Sequence, residues 1–198
     1  NIPSIIIEKP RASLFHGTTV FTALHSALLI KWLNDDQSEW EICYKGTVDG
    51  FASTTFHDKA NGKGPTLTVI KTENGSVFGG YNPVAWSSSG NTTHKDSFLF
   101  ALENPGKNRV KIPWKANYSA YNSSSYGPTF GGGHDIYICS GADTSTSSYT
   151  NIGYSFDIET VAGHKYGTTE AKNFFCGSYN FKVKEIEVFK RKITEDEN

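Results

Sequence analysis

Short β-prone runs separated by turn signals recur along this chain of 198 residues, and they restrict its fold more than any other feature. The clearest pair occupies residues 66–73 and 76–81, with Asn74-Gly75 between them. A two-residue Asn-Gly loop suits a type I′ turn, whose twist matches that of a β-hairpin. Residues 40–45 alternate with period two, and residues 97–102 are apolar on both faces, as in a central strand. We therefore expect a mainly β protein.

One segment near the N-terminus follows a helical period instead. Residues 18–33 are predicted to form an amphipathic helix that lies on the core, with Thr18 or Thr19 as its N-cap. The apolar side chains at helical spacing are Phe21, Leu24, Leu28 and Trp32. Ser53 is predicted to cap a further short helical turn. The polar stretches at residues 87–95, 116–126 and 141–151 are predicted to be loops.

The last strong element covers residues 180–189, and its period-two pattern slips in phase. Phe181 and Val183 share one face, whereas Ile186 and Val188 lie in the opposite phase. Such a slip predicts a bulge near residues 184–185, or a strand that passes from one sheet to another.

Together these elements predict a mainly β (α+β) fold, a two-layer antiparallel β-sandwich with a few peripheral helices. We expect one domain over residues 1–190, with the helix at 18–33 and the sandwich at 40–189. Residues 191–198 are predicted to be a charged, flexible tail.

Two glycine runs interrupt the strand pattern. Gly79-Gly80 lies inside a predicted strand, which indicates a bulge or a closely approaching neighbour. Gly131-Gly132-Gly133 leads into the run at residues 134–139 and predicts a tight bend with close packing. An anion-binding nest is the alternative, although the run lacks the Lys and the helix start of a phosphate loop.

Composition excludes several classes of protein. The net charge of −1 gives no general attraction to nucleic acid, and the longest apolar runs are too short to span a bilayer. Cys43, Cys139 and Cys176 form no CxxC pair and are interpreted as small core residues in a reducing compartment. The chain contains no Met, so we expect a processed product or an excised fragment.

No catalytic residue, metal site or cofactor is predicted. His57 and His134 could pair as metal ligands, but no third ligand is placed by spacing, so structural roles are favoured. The acidic loop with Asp35 and Asp36 does not match the ligand spacing of a calcium site. Sequons at Asn74, Asn91, Asn117 and Asn122 are no more numerous than chance allows, and they do not establish secretion.

Four acidic residues are candidate partner contacts: Asp49, Asp135, Glu185 and Glu187. The last two alternate with Ile186 and Val188, so their carboxylates are predicted to face water together and could contact a partner. The alternative is an ordinary solvated strand face. Asp49 precedes Gly50, where its side chain is expected to bond the backbone of a turn.

The order of these motifs resembles a TLDc domain over residues 40–189. The segments that carry the resemblance are Asp49-Gly50, Phe56-His57, Gly64-Pro65-Thr66-Leu67, residues 77–81, Trp86, Phe98-Leu99-Phe100, residues 127–135, Phe181 and residues 185–189. The match is closer to the TLDc domains of protist and multidomain proteins than to those of animal oxidation-resistance proteins. The resemblance implies a sandwich of two antiparallel sheets flanked by helices, with no shared cofactor.

The resemblance also implies a function. Several members of the family protect cells against oxidative stress, and several bind and regulate the vacuolar proton-pumping ATPase. We therefore expect a cytoplasmic, non-enzymatic protein-binding module. The alternatives are an enzyme of oxidative defence and a secreted or self-assembling structural protein.

Overall fold

The computed structural model describes residues 14–192, which form two β-sheets and five short helices. Within these residues the first sheet contains β1 (Phe15–His16), β2 (Trp40–Lys45), β3 (Thr66–Thr72), β4 (Val77–Asn82), β6 (Phe98–Glu103), β7 (Val110–Pro113) and β13 (Val183–Arg191). The second contains β5 (Ser89–Thr92), β8 (Ala120–Ser123), β9 (Tyr126–Phe130), β10 (Ile136–Cys139), β11 (Ser148–Thr150) and β12 (Asn180–Phe181). The helices are α1 (Ala23–Leu33), α2 (Gly46–Asp49), α3 (Ser53–Ala60), α4 (Ile158–Ala162) and α5 (Thr169–Asn173).

The strand order confirms the predicted mainly β sandwich. The first sheet runs β1-β2-β13-β3-β4-β6-β7 and the second runs β12-β11-β10-β9-β8-β5. Neighbouring strands are antiparallel, except that β1 pairs in parallel with β2. Among the described residues, no helix has the length and apolar character needed to cross a membrane.

The first sheet is covered on both faces. One face packs against the second sheet around Phe78, Phe130 and Ile186. The other face carries a second apolar cluster around Leu67 and Phe189, into which Leu29 of α1 is packed. The prediction of a central strand at residues 97–102 is confirmed, because β6 lies between β4 and β7 and is buried on both faces.

Helix α1 is shorter than the predicted helix at residues 18–33. It begins at Ala23, and its N-cap is Thr22, whose side chain accepts a hydrogen bond from the amide of His25. The prediction that Thr18 or Thr19 caps the helix is wrong, because both residues bind Glu187 on β13.

The buried face of α1 is also displaced from the predicted one. Leu24 is 52% exposed, whereas His25 and Leu29 are buried.

The prediction that Ser53 caps the next helical turn is wrong. The N-cap of α3 is Ala52, and the amide of Ser53 donates to the side chain of Ser140.

The β3–β4 hairpin is confirmed, but its turn is not the predicted type I′. Four residues, 73–76, separate the two strands, and Gly75 has a φ of +89° while Asn74 lies outside the left-handed region. A type I′ turn needs positive φ at both central positions. The amide of Gly75 instead donates to the carbonyl of Thr72 over 3.1 Å.

Three short strands lie inside stretches that were predicted to be loops. β5, β8 and β11 fall within residues 87–95, 116–126 and 141–151. Each is three or four residues long and rich in Ser, Asn, Thr and Tyr, so it lacks the apolar alternation that marks a longer strand.

Both predictions for residues 180–189 hold. The register of β13 against β3 shifts between Val183 and Glu185, and the chain passes from the second sheet at β12 to the first at β13.

The predicted tail begins later than residue 191. Arg191 still belongs to β13, and the amide of Lys192 donates to the carbonyl of Glu39 over 2.8 Å. Residues 1–13 of the predicted domain and 193–198 of the predicted tail lie outside the described residues.

Candidate functional site

Glu187 lies in a buried network, and the prediction that it faces water is wrong. Its side chain is 0% exposed. The hydroxyl of Thr18 donates to Oε2 over 2.7 Å, and the amide of Thr19 donates to Oε1 over 2.9 Å. The ammonium of Lys45, on the neighbouring strand β2, donates to Oε1 over 2.8 Å. The carboxylate is therefore paired and hydrogen-bonded, as a buried charge requires.

Glu185 is buried in the same network, so its predicted exposure is also wrong. Its carboxylate accepts hydrogen bonds from the amide of Thr47 at 3.0 Å, from the hydroxyl of Thr47, and from the amide of Ile186 at 3.0 Å. Lys45 Nζ lies 4.0 Å from Oε2. Two buried carboxylates thus share one half-buried lysine, and hydroxyl and amide donors compensate the remaining negative charge.

The alternation of β13 explains why both predictions of exposure fail. Ile186 and Val188 do face the core between the sheets, as expected. The opposite face is not solvated, because Thr18, Thr19 and Thr47 lie over it and donate to the two carboxylates.

Asp49 bonds the backbone of its own turn, as predicted. Its Oδ2 accepts from the amide of Lys45 over 2.8 Å, and Oδ1 pairs with Lys59 Nζ over 3.1 Å. Burial raises the pKa of this carboxyl, but the hydrogen bond from Lys45 and the charge of Lys59 outweigh burial and lower it. Asp49 therefore fixes α2, which carries Thr47 to Glu185.

Asp135 is fully buried, at 0% exposed, two residues after the glycine run. Its Oδ1 accepts from the amides of Gly153 at 2.8 Å and Tyr154 at 3.0 Å, and the amides of Ser155 and Phe156 also donate to the carboxylate. Burial raises the pKa of Asp135 to about 6, and these four amides act in the opposite direction. Asp135 therefore holds residues 153–156 in place.

The close-packing interpretation of Gly79-Gly80 is confirmed. A Cβ on Gly79 would lie 1.9 Å from the carbonyl oxygen of Thr68 on β3. A Cβ on Gly80 would lie 2.6 Å from the ring of Phe130, which belongs to the second sheet. These glycines therefore allow both the neighbouring strand and the facing sheet to approach β4.

Gly131-Gly132-Gly133 is also closely packed. Gly131 has a φ of +85°, and a Cβ there would lie 2.0 Å from Asp135 Oδ2. A Cβ on Gly133 would lie 2.6 Å from the ring of Tyr154. The amide of Gly131 donates to the Ser119 carbonyl and that of Gly132 to the Ser155 hydroxyl, so these donors are used inside the protein and not in an anion-binding nest.

Three exposed tyrosines surround this glycine loop, and sequence analysis did not single them out. Tyr118, Tyr154 and Tyr166 are 47%, 42% and 46% exposed. The rings of Tyr154 and Tyr166 are 5.4 Å apart, and Tyr118 and Tyr154 both lie within 3.5 Å of the position that a Cβ on Gly132 would take. We refer to these three residues as the tyrosine cluster. The Tyr-rich polar loops were its only signal in the sequence.

The predicted structural roles of His57 and His134 fit their contacts. His57 Nε2 lies 2.8 Å from the Ser123 carbonyl oxygen, and Nδ1 lies 2.9 Å from Asn61 Oδ1. His134 Nδ1 lies 2.9 Å from the hydroxyl of Tyr149. Among residues 14–192, no group of three or more His, Cys, Asp or Glu side chains could hold a metal ion.

The three cysteines are free thiols. Cys139 and Cys176 are buried, as expected of small core residues, and Cys43 is half-buried. Burial raises the pKa of Cys43 to about 11 and raises that of Cys176 in the same direction.

Comparison with known proteins agrees with this architecture. A search among curated proteins found no match. The family model for the TLDc domain matches residues 14–192, which is nearly the whole chain and includes both sheets, the buried network and the tyrosine cluster. TLDc domains are generally non-catalytic. The chain belongs to the TLDc domain family.

Proposed function

We propose that this TLDc domain is a protein-binding module without an enzymatic activity of its own, and that its partner is the vacuolar proton-pumping ATPase. Membership of the family supports a module of TLDc type in general. The pump enters the proposal through the sequence resemblance. The tyrosine cluster is the observation that favours a binding function, because its three exposed rings lie together around the glycine loop.

The tyrosine cluster has the chemistry of a protein-docking surface. Tyr is enriched at the centres of interfaces, because its ring buries a large apolar area while its hydroxyl keeps a polar partner. It has only two side-chain torsions, so ordering it on binding costs little entropy.

The cluster is also pre-organised by buried groups. Asp135 holds the amide of Tyr154 at 3.0 Å, and the ring of Tyr154 packs against Gly133. A surface that is already in its bound conformation loses less free energy on association. We infer that Asp135 contributes to partner binding by positioning Tyr154, because its own carboxylate is buried.

Glu185, Glu187 and Asp49 have a comparable positioning role in this proposal. Glu187 holds the segment at Thr18 and Thr19. Glu185 and Asp49 fix α2, whose Val48 is 75% exposed and could form a secondary contact. The acidic pair thus supports surface segments and does not touch the partner itself.

The direct test is capture of the purified, assembled pump by the immobilised chain. We expect the wild-type chain to retain the pump and the Tyr154→Ala variant to retain much less. Leu24→Ala is the matched control, since Leu24 is 52% exposed but lies on α1, outside the cluster. Failure of the wild-type chain to retain any pump would remove this partner.

The cellular role that we propose is protection against oxidative stress from a cytoplasmic location. The three free cysteines support a reducing compartment. Deleting the gene should make cells more sensitive to hydrogen peroxide. Unchanged sensitivity of the deletion strain would argue against the protective role.

For the location, fractionation should recover the protein with cytosolic markers.

A further inference from the structure

A continuous series of aromatic rings lies on the outer face of the second sheet. The rings are those of Tyr121, Tyr126, His134, Tyr137, Tyr149 and Tyr179, which we call the aromatic ladder. Ile136 and Ile138, its neighbours on β10, are buried in the core, whereas Tyr137 alternates with them and is only half-buried. The ladder is separate from the tyrosine cluster and has no part in the binding function proposed above.

The rings are close enough for an electron to pass between neighbours. Ring centroids are 4.8 Å apart for Tyr126 and Tyr137, 5.0 Å for Tyr137 and Tyr149, and 5.1 Å for Tyr149 and Tyr179. Tyr149 is half-buried, whereas Tyr179 is 39% exposed at the end of the ladder. The series therefore connects a sheltered phenol with an exposed one.

A proton acceptor lies beside the half-buried phenol of Tyr149. The Tyr149 hydroxyl lies 2.9 Å from His134 Nδ1. Burial lowers the pKa of His134 and raises that of Tyr149 to about 12, so the neutral imidazole and the protonated phenol coexist at neutral pH. With the imidazole proton on Nε2, Nδ1 accepts the hydrogen bond from the phenol.

We propose that Tyr149 and His134 form a site of one-electron oxidation, and that the resulting radical passes from Tyr149 to Tyr179 at the end of the aromatic ladder. The substrate class is small radical oxidants, of which nitrogen dioxide is the example tested below. In the first step Tyr149 gives an electron to nitrogen dioxide, which becomes nitrite, while the phenolic proton moves to His134 Nδ1.

The second step moves the radical to the exposed end of the ladder. Tyr179 gives an electron to the Tyr149 radical and releases its own proton to solvent, and Tyr149 takes its proton back from His134. A second nitrogen dioxide then couples with the Tyr179 radical, a ring C–N bond forms, and the proton of that ring carbon moves through solvent to the phenolic oxygen. The product is nitrotyrosine at Tyr179.

A cation lies at the exposed end of the ladder. Lys172 Nζ lies 5.4 Å from the centroid of the Tyr179 ring. Its positive charge therefore lies at the end of the ladder where the second step places the radical.

The test is to expose the whole chain to a source of nitrogen dioxide at neutral pH and to map nitrotyrosine by peptide mass spectrometry. We expect Tyr179 to be nitrated in preference to the more exposed Tyr118, Tyr154 and Tyr166. This preference should be lost in Tyr149→Phe, which keeps the ring but has no proton to transfer. It should also be lost in His134→Asn, where Asn tolerates the left-handed φ of 55°.

Two controls separate this chemistry from a structural effect. Tyr166→Phe removes an exposed phenol outside the ladder and should leave nitration of Tyr179 unchanged. In the wild-type chain, the share of nitration at Tyr179 should fall as the solution is acidified and His134 becomes protonated, whereas His134→Asn should show no such fall. Nitration that follows exposure alone, with the same pattern in folded His134→Asn and in wild type, would overturn the proposal.

Discussion

The buried network around Glu187 makes the acidic face of β13 part of the folded interior. Its carboxylate joins three parts of the chain, through Thr18, Thr19 and Lys45. In a buried pair the two charges compensate each other, and removal of one partner leaves the other without compensation. The acidic residues of β13 are therefore structural groups first.

We expect Glu187→Ala to lower the free energy of unfolding by about 3–5 kcal/mol, because it removes the carboxylate closest to Lys45 and leaves the Thr19 amide and the hydroxyls of Thr18 and Thr19 without this acceptor. Urea denaturation followed by circular dichroism measures the change. Glu159→Ala is the matched control, since the Glu159 side chain is 55% exposed and its removal should leave the unfolding midpoint unchanged. Equal midpoints for Glu187→Ala and wild type would show that the network does not stabilise the fold.

A second prediction at this scale concerns Cys43. Burial raises the pKa of its thiol to about 11, so only a small fraction is thiolate at neutral pH. We expect iodoacetamide to alkylate Cys43 slowly at neutral pH, with a rate that rises about tenfold for each pH unit until the pKa is reached. Mass spectrometry measures the rate, and rapid complete alkylation of the folded protein at neutral pH would contradict the assignment.

At the scale of the element, the glycine loop and Asp135 work together to hold the segment at residues 153–156. We expect Asp135→Ala to leave four amides, three of them buried, without this acceptor and to speed hydrogen exchange at those residues. Asp157→Ala is the control, because Asp157 caps the adjacent helix α4 through Thr160 and does not bind these amides. Exchange that is equally fast in both variants would mean that Asp135 does not hold the segment.

The central hairpin gives a further prediction. A methyl group on Gly79 would overlap the Thr68 carbonyl at 1.9 Å, so Gly79→Ala must separate β3 from β4. We expect a loss of at least about 2 kcal/mol in the free energy of unfolding. In the Gly106→Ala control the one close contact of the new methyl is the end of the exposed Asn108 side chain at 2.7 Å, which can move, so stability should change little. A Gly79→Ala protein as stable as wild type would be incompatible with this packing.

The sequence predicted those elements whose pattern reflects burial. β2, β3, β4 and β6 carry apolar alternation or apolar runs, and the phase slip at residues 184–185 marked both a bulge and the change of sheet. The short polar strands of the second sheet have no such pattern, so the sequence did not predict β5, β8 and β11. Glu185 and Glu187 were placed in water, because nothing local to β13 shows that distant threonines cover that face.

At the scale of the whole molecule, the fold brings together side chains that are far apart in the sequence. Tyr118, Tyr154 and Tyr166 lie on different segments, and their proximity depends on the packing of the glycine loop. A sequence pattern cannot show such a cluster, because no period or spacing links its members. This cluster is the surface that we propose for a protein partner.

The measurement that most directly tests the proposed binding function is the affinity of the chain for the purified vacuolar proton-pumping ATPase, with and without the tyrosine cluster. We predict that Tyr154→Ala weakens binding by at least about 2 kcal/mol, as expected of an interface anchor, while Leu24→Ala binds like wild type. Equal affinities for wild type and folded Tyr154→Ala, or no binding by the wild-type chain, would contradict the account.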